Sequence, residues 1–74
     1  MEKLVIDTIM EVTELPKEKI SLNSNLLTDL ELDSIDIVSL IAAFEEKLSI
    51  EIPDKDIKNF QTVQDIVNYL KKDE

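Results

Sequence analysis

Residues 30–53 of this 74-residue chain read LELDSIDIVSLIAAFEEKLSIEIP, and they predict a central helix from Ser34 to Leu48. Asp33 is a favourable N-cap for this helix. Asp36 follows three residues later and adds a second carboxylate in the first turn, where unpaired backbone N–H groups point outward. The segment therefore predicts a well-capped amphipathic helix around which the rest of the chain is organised.

The apolar residues of this helix form two stripes rather than one. At about 100° per residue, one stripe must face the core. It contains Ile37, Ile41, Phe44 and Leu48. The second stripe lies roughly a third of a turn away. It contains Ile35, Val38 and Ala42. Two interpretations stay open: the helix is buried on both sides, or the second stripe is an exposed apolar surface for partner proteins, bordered by acidic residues.

The flanking segments are also predicted to be helical. A first helix covers residues 2–14 and ends before Pro16, because the residue before a proline is disfavoured in helical geometry. Pro53 begins a short third helix through Lys58, and Thr62 caps a last helix. Its buried stripe is Val63, Ile66, Val67 and Leu70. The predicted fold class is all-α: a small four-helix bundle, of three main helices and one short helix, in a single domain of residues 1–74.

Residues 16–33 form a long ordered first loop. Loops of this length are uncommon inside compact domains unless they are functional or contain a further element. We expect a short helical turn at residues 26–30 and apolar side chains that pack over the core. These side chains are Ile20, Leu22, Leu26, Leu27, Leu30 and Leu32.

The composition excludes several classes of function. The chain has no Cys, His, Gly or Trp. Without Cys there is no disulfide scaffold and no Cys-ligated metal site, and without His or Cys the commonest general base and the best nucleophile are missing. We therefore expect no self-sufficient catalyst and assign no catalytic residue. A phosphate-binding loop rich in glycine is excluded as well.

A calcium site is also not predicted, although Asp29, Glu31 and Asp33 alternate like the start of an EF-hand loop. The sixth position of that loop requires Gly for a sharp turn, and the twelfth requires a bidentate Glu. The chain has Ser34 and Leu40 there. No metal ligand is therefore assigned.

The charge indicates which partners the chain can have. The net charge of −9 disfavours nucleic acid and anionic membrane surfaces. No apolar run is long enough for stable membrane insertion, and the N-terminus lacks the pattern of a signal peptide, so a cytoplasmic location is expected. The chain is also expected to be a monomer. Residues 29–56 contain nine acids and two lysines, which is −7 of the total. This concentration is either an ordinary solvated face or a docking surface for basic partners.

Ser34 is the candidate for covalent chemistry. A serine at this place is usually only part of a helix start, and without a neighbouring base it would be a poor nucleophile. A helix N-terminus nevertheless stabilises an attached phosphate, and the hydroxyl there is expected to be accessible. Ser34 is therefore a plausible attachment point rather than a catalyst.

Residues 30–53 resemble the recognition helix of an acyl carrier protein. The triplet Asp33-Ser34-Ile35 matches the Asp-Ser-Leu signature of that family with one apolar exchange. Similar residues stand at further positions over essentially the whole chain: Asp36, Glu45, Glu46, Ile52, Pro53, Asp54, Thr62, Val63, Gln64, Asp65, Tyr69 and Leu70.

The resemblance implies a carrier whose Ser34 hydroxyl, next to Asp33, receives 4′-phosphopantetheine from coenzyme A through a phosphopantetheinyl transferase. The arm's thiol would carry acyl groups as thioesters, so a chain without Cys would obtain its thiol from the prosthetic group. Further partners would be acyl-transfer enzymes and enzymes of fatty-acid or polyketide synthesis, with basic docking surfaces. The implied docking residues are Asp33, Ile35, Asp36, Val38, Ala42, Glu45 and Glu46.

The family also implies an acyl pocket between the second and third helices. Its lining here would be Ile41, Phe44, Ile52, Ile57 and Phe60, with plain core packing as the alternative for each. Two positions depart from the family pattern: Glu31 replaces a usual Gly, and Ser39 replaces a usual Glu. Glu31 requires a backbone conformation open to a side chain, and Ser39 removes a docking charge.

Three hypotheses about function follow. The first is an acyl carrier of fatty-acid synthesis. The second is a dedicated carrier for polyketide, peptide or cell-envelope acyl transfer, which the missing charge at Ser39 favours. The third, from another class, is an acidic adaptor without a prosthetic group.

Overall fold

The computed structural model describes residues 1–71, which form four α-helices and one 3-10 turn. The helices are α1 (Glu2–Thr13), α2 (Ser34–Leu48), α3 (Asp54–Ile57) and α4 (Val63–Lys71), with the 3-10 turn at Lys17–Lys19. The described residues contain no strand, only one isolated antiparallel bridge between Asn25 and Thr62. The all-α fold class is confirmed, with three main helices and one short helix.

The predicted helix bounds agree closely with the structure. α2 has the predicted bounds because its start is encoded locally by the Asp33 N-cap. α1 is one residue shorter than predicted, since Glu14 takes a left-handed conformation. α3 begins at Asp54 rather than at Pro53, which is its N-cap, and ends at Ile57 rather than at Lys58, which is its C-cap. The 3-10 turn was not predicted, because Lys17–Lys19 has no apolar periodicity.

The core is built where α1 packs against both α2 and α4. Its fully buried side chains include Val5 and Ile9 of α1 and Phe44 of α2. The predicted stripe of α4 is buried throughout. On α2, Ile41 and Phe44 are buried as predicted, whereas Ile37 and Leu48 are only partly buried. The prediction for α2 omitted Leu40, which is 1% exposed, although it continues the same stripe three residues after Ile37.

The long first loop packs over the core largely as predicted. Ile20, Leu26, Leu30 and Leu32 are buried, and Leu22 is partly buried. The prediction was wrong for Leu27, which is 61% exposed. The expected helical turn is present as a single turn: Asp29 N–H donates to the Asn25 carbonyl at 3.0 Å, and the Asn25 side chain caps the turn by accepting from the N–H groups of Leu27 and Thr28 at 2.9 and 3.0 Å.

Backbone hydrogen bonds tie this loop to the start of α4. Leu26 N–H donates to the Gln61 carbonyl at 2.8 Å, and Val63 N–H donates to the Ser24 carbonyl at 3.1 Å. Asp65 closes the junction, since its Oδ2 accepts from the N–H groups of Gln61 and Thr62, both at 3.0 Å. These hydrogen bonds hold the loop in one conformation up to Asp33, the N-cap of α2.

Candidate functional site

A reciprocal capping box fixes the start of α2 around Ser34. Asp36 N–H donates to Asp33 Oδ1 at 2.9 Å, and Asp33 N–H donates to Asp36 Oδ2 at 3.3 Å. Ser34 is the first residue of the helix and is exposed. The capping box therefore holds the backbone on both sides of Ser34 while its side chain stays exposed to solvent.

Glu31 introduces a strained backbone just before this site. Its φ angle is 56°, in the left-handed region that favours Gly. The structure thus requires the Gly-like conformation at this position, and the side chain of Glu31 occupies it at an energetic cost. The exposed carboxylate adds one more negative charge close to Asp33.

Ser34 opens onto an apolar groove between α2 and the segment that follows α3. The groove has a volume of about 340 Å³. Its lining residues are Leu27, Ser34, Ile37, Val38, Ile57, Lys58 and Phe60. Apart from Ser34 and Lys58, every one of these side chains is apolar. The groove therefore suits an apolar chain that starts at the Ser34 hydroxyl.

A second groove of about 220 Å³ continues along α2. Its lining residues are Val38, Ile41, Ala42, Glu45, Ile52, Asp54 and Ile57. Val38 and Ile57 line both grooves, so the two adjoin at these side chains. Together they form a path along α2 that begins beside Ser34.

Four of the five side chains expected in an acyl pocket line this path: Ile41, Ile52, Ile57 and Phe60. Phe44 lines neither groove and is fully buried, so core packing describes this residue in the structure. The structure adds Leu27, Ile37, Val38 and Lys58 to the lining beside Ser34. Ile37 and Val38 lie on the two apolar stripes of α2 that the sequence reveals, whereas the positions of Leu27 and Lys58 depend on how the first loop and α3 are placed.

The second apolar stripe of α2 is exposed. Ile35 is 74% exposed and Val38 is 66% exposed, and Ala42 is exposed as well. This excludes the interpretation in which α2 is buried on both sides. The exposed side chain of Leu27 lines the same groove as Val38 and extends the apolar surface onto the first loop.

The acidic residues around this stripe differ in their environment. Asp33 and Glu46 are exposed, whereas Asp36 and Glu45 are partly buried. Glu45 Oε2 accepts a hydrogen bond from Ile52 N–H at 2.8 Å and so ties the end of α2 to the segment before α3. Of the four acidic docking candidates, Glu45 therefore also has a structural role that the sequence pattern did not indicate.

Within residues 1–71, no cluster of three or more His, Cys, Asp or Glu side chains could hold a metal ion. Over the same residues, no helix has the length and apolar character needed to cross a lipid bilayer.

Known proteins share both the sequence pattern and the fold. A family model described as "Phosphopantetheine attachment site" matches residues 3–70. The acyl carrier protein of Campylobacter concisus is 38% identical over 68 residues, which cover 92% of this chain and 88% of that protein. The acyl carrier protein of Bdellovibrio bacteriovorus is 41% identical over 68 residues, covering 92% and 87%.

The structural comparison agrees with the sequence matches. The solution structure of a protein from Anaplasma phagocytophilum, assigned as an acyl carrier protein, superposes with a TM-score of 0.89 and 34% sequence identity. The superposition covers 99% of this chain and 86% of that one.

Proposed function

The chain belongs to the acyl carrier protein family, whose members hold phosphopantetheine, and on this premise we propose that Ser34 is the attachment residue of a carrier for fatty-acid synthesis. Proteins of this family are carriers rather than catalysts, in agreement with the absence of His and Cys from the sequence. The observation that carries the proposal is the position of Ser34, exposed at the first residue of α2 and at the edge of an apolar groove.

The residues around Ser34 fit a phosphate-linked arm. The N-terminal turn of α2 presents backbone N–H groups and the positive end of the helix dipole, which favour a phosphate on the first residue. The arm supplies a terminal thiol that carries the acyl group. The chain's own contribution is to anchor the arm at a rigid helix start and to offer an apolar groove beside it.

The exposed stripe of α2 supports a docking role for the residues predicted from the sequence. Ile35, Val38 and Ala42 offer an apolar strip, and Asp33, Asp36 and Glu46 offer negative charge beside it. Such a surface fits partner enzymes with basic rims around a small apolar depression, and the charges accelerate encounter more than they strengthen the final complex. The proposed partners are a phosphopantetheinyl transferase and acyl-transfer enzymes, in the cytoplasm.

The attachment site is tested by intact mass spectrometry. The purified chain is incubated with coenzyme A and a phosphopantetheinyl transferase, and we expect the addition of one arm. Ser34→Ala should add none, whereas Ser39→Ala, which alters another exposed serine of the same helix, should add one. Modification of Ser34→Ala, or a wild-type chain that several transferases leave unmodified, would refute the proposal.

A dedicated carrier for polyketide, peptide or cell-envelope acyl transfer is the second candidate, because of Ser39. This residue is exposed on α2 and provides no charge where the family usually has Glu. Transfer of malonyl and aminoacyl groups onto the loaded chain separates the two functions. Efficient malonyl transfer followed by elongation and complete reduction of the β-carbon supports fatty-acid synthesis, and acceptance of aminoacyl groups alone supports the dedicated carrier. Family membership argues against the adaptor hypothesis.

A further inference from the structure

Lys58 is the cation in the groove onto which Ser34 opens. It follows directly after α3, is exposed, and lines the groove together with Ser34 and apolar side chains. Among the residues that the structure describes, one ion pair is present, and it joins Lys47 to Glu11 at 2.9 Å. Lys58 has no carboxylate partner among these residues. Its ammonium group is therefore available to an anion in this groove.

The negative charge around Ser34 would be reduced by such a cation. Residues 29–56 have a net charge of −7, and Asp33 and Asp36 lie within two residues of Ser34. A phosphodiester on Ser34 would add another negative charge to this cluster. The positive end of α2 offsets part of the repulsion, and Lys58 can offset more because it lines the same groove as Ser34.

We propose that the Lys58 ammonium pairs with the phosphodiester that Ser34 carries once the arm is attached. The pair would neutralise the phosphate and hold the beginning of the arm on the side of α2 that faces the apolar groove. Lys58 is in this sense a positioning residue for the arm. The proposal rests on the proposed attachment at Ser34.

The test compares the melting temperature before and after loading, so that no partner enzyme enters the readout. Lys58→Gln removes the charge, Lys58→Arg keeps it, and Lys55→Gln is the matched control. Lys55 is an exposed lysine of α3 that lines neither groove. Lys58 and Lys55 are both exposed, so their unloaded variants are expected to fold like the wild type.

Loading should lower the melting temperature of Lys58→Gln by about 2–4 °C more than that of the wild type at low ionic strength, the size expected for an exposed ion pair in a small domain. Lys55→Gln and Lys58→Arg should behave like the wild type. The difference should disappear in about 0.5 M NaCl, because salt screens exposed pairs. The ³¹P resonance of the loaded chain should shift in Lys58→Gln and not in Lys55→Gln.

Equal effects of Lys58→Gln and Lys55→Gln in the loaded chain would overturn the proposal, because they would show a general effect of net charge. An unchanged ³¹P resonance in Lys58→Gln would overturn it as well. Failure of the arm to attach to the wild type is seen in the intact mass beforehand, and it would refute the attachment at Ser34 instead.

Discussion

Within residues 1–71, three residues adopt a left-handed backbone conformation, in a chain that has no Gly. Glu14 and Ser49 do so at the ends of α1 and α2, and Glu31 does so at a φ of 56° just before the capping box. This conformation costs an L-residue roughly 1–2 kcal/mol. The turn that leads into the capping box at the start of α2 is therefore formed at the expense of stability.

Glu31→Gly should raise the free energy of unfolding by about 0.5–1 kcal/mol. The gain from relieving the left-handed conformation exceeds the loss from a more flexible unfolded chain. Urea denaturation measures the change. Glu31→Gln keeps the Cβ atom and removes the charge, so it separates backbone from electrostatic effects. If Glu31→Gln stabilised as much as Glu31→Gly, the explanation from backbone strain would be wrong.

The ends of the helices are held to the neighbouring loops by carboxylates that accept hydrogen bonds from backbone groups three to seven residues away. Glu45, near the end of α2, binds the backbone of Ile52, and Asp65, in the first turn of α4, binds the backbone of Gln61 and Thr62. Each carboxylate satisfies N–H groups that no helix or strand would satisfy. These bonds define where one helix ends and the next begins.

Glu45→Ala should destabilise the fold by about 1–2 kcal/mol, because it leaves the partly buried Ile52 N–H without its acceptor. Glu45→Gln retains a side-chain oxygen and should lose less. Glu46→Ala, at the exposed neighbouring residue, is the control and should change the unfolding free energy by less than about 0.5 kcal/mol. Thermal and urea unfolding provide the comparison, and similar losses for Glu45→Ala and Glu46→Ala would contradict the structural role.

Asp65 should make a measurable contribution to the pH dependence of stability. The backbone N–H groups of Thr62 and Gln61 hold the pKa of its carboxyl below the ordinary value of 3.8. A pKa lowered by folding contributes stability above the unfolded pKa, and this contribution is lost as the pH falls through the folded pKa. The wild type should therefore exceed Asp65→Asn in stability near neutral pH, and the difference should shrink below about pH 4.

Urea midpoints of both proteins from neutral to acidic pH measure this contribution. Asp7→Asn removes the same charge from an exposed residue of α1 and controls for net charge. A constant difference between the wild type and Asp65→Asn at every pH would contradict the assignment.

For the protein as a whole, repulsion between negative charges opposes folding around the start of α2. The acids of residues 29–56 outnumber the lysines by seven, and several of them surround the start of α2. Within residues 1–71 no arrangement of acidic side chains forms a metal site. Because the like charges around the start of α2 repel one another, added cations should stabilise the protein by screening this repulsion.

The melting temperature should rise by about 2–5 °C when salt is added at low ionic strength, and magnesium should act at lower concentration than sodium. The double variant Asp29→Asn/Glu31→Gln, which removes two of the charges, should show a smaller rise. Calorimetry without a stoichiometric binding isotherm would accord with screening. A melting temperature unaffected by magnesium would contradict this prediction.

Local signals explain which parts of this architecture could be predicted from the sequence. The bounds of α2 and the buried stripe of α4 follow from caps and apolar periodicity within a few residues. The exposure of Leu27, the hydrogen bond from Ile52 to Glu45 and the place of Lys58 in the groove could not be predicted. They depend on how the first loop and α3 pack against α2, which no periodicity encodes.

α3 differs from the other helices in that none of its four residues is fully buried. It is linked to α4 through Asp56, which accepts a hydrogen bond from the Tyr69 hydroxyl at 2.8 Å. Elements with little buried surface open at a small fraction of the global unfolding free energy. Deuterium should therefore replace the amide protons of α3 well before those of α2, so the wall of both grooves can open while the remaining helices stay folded.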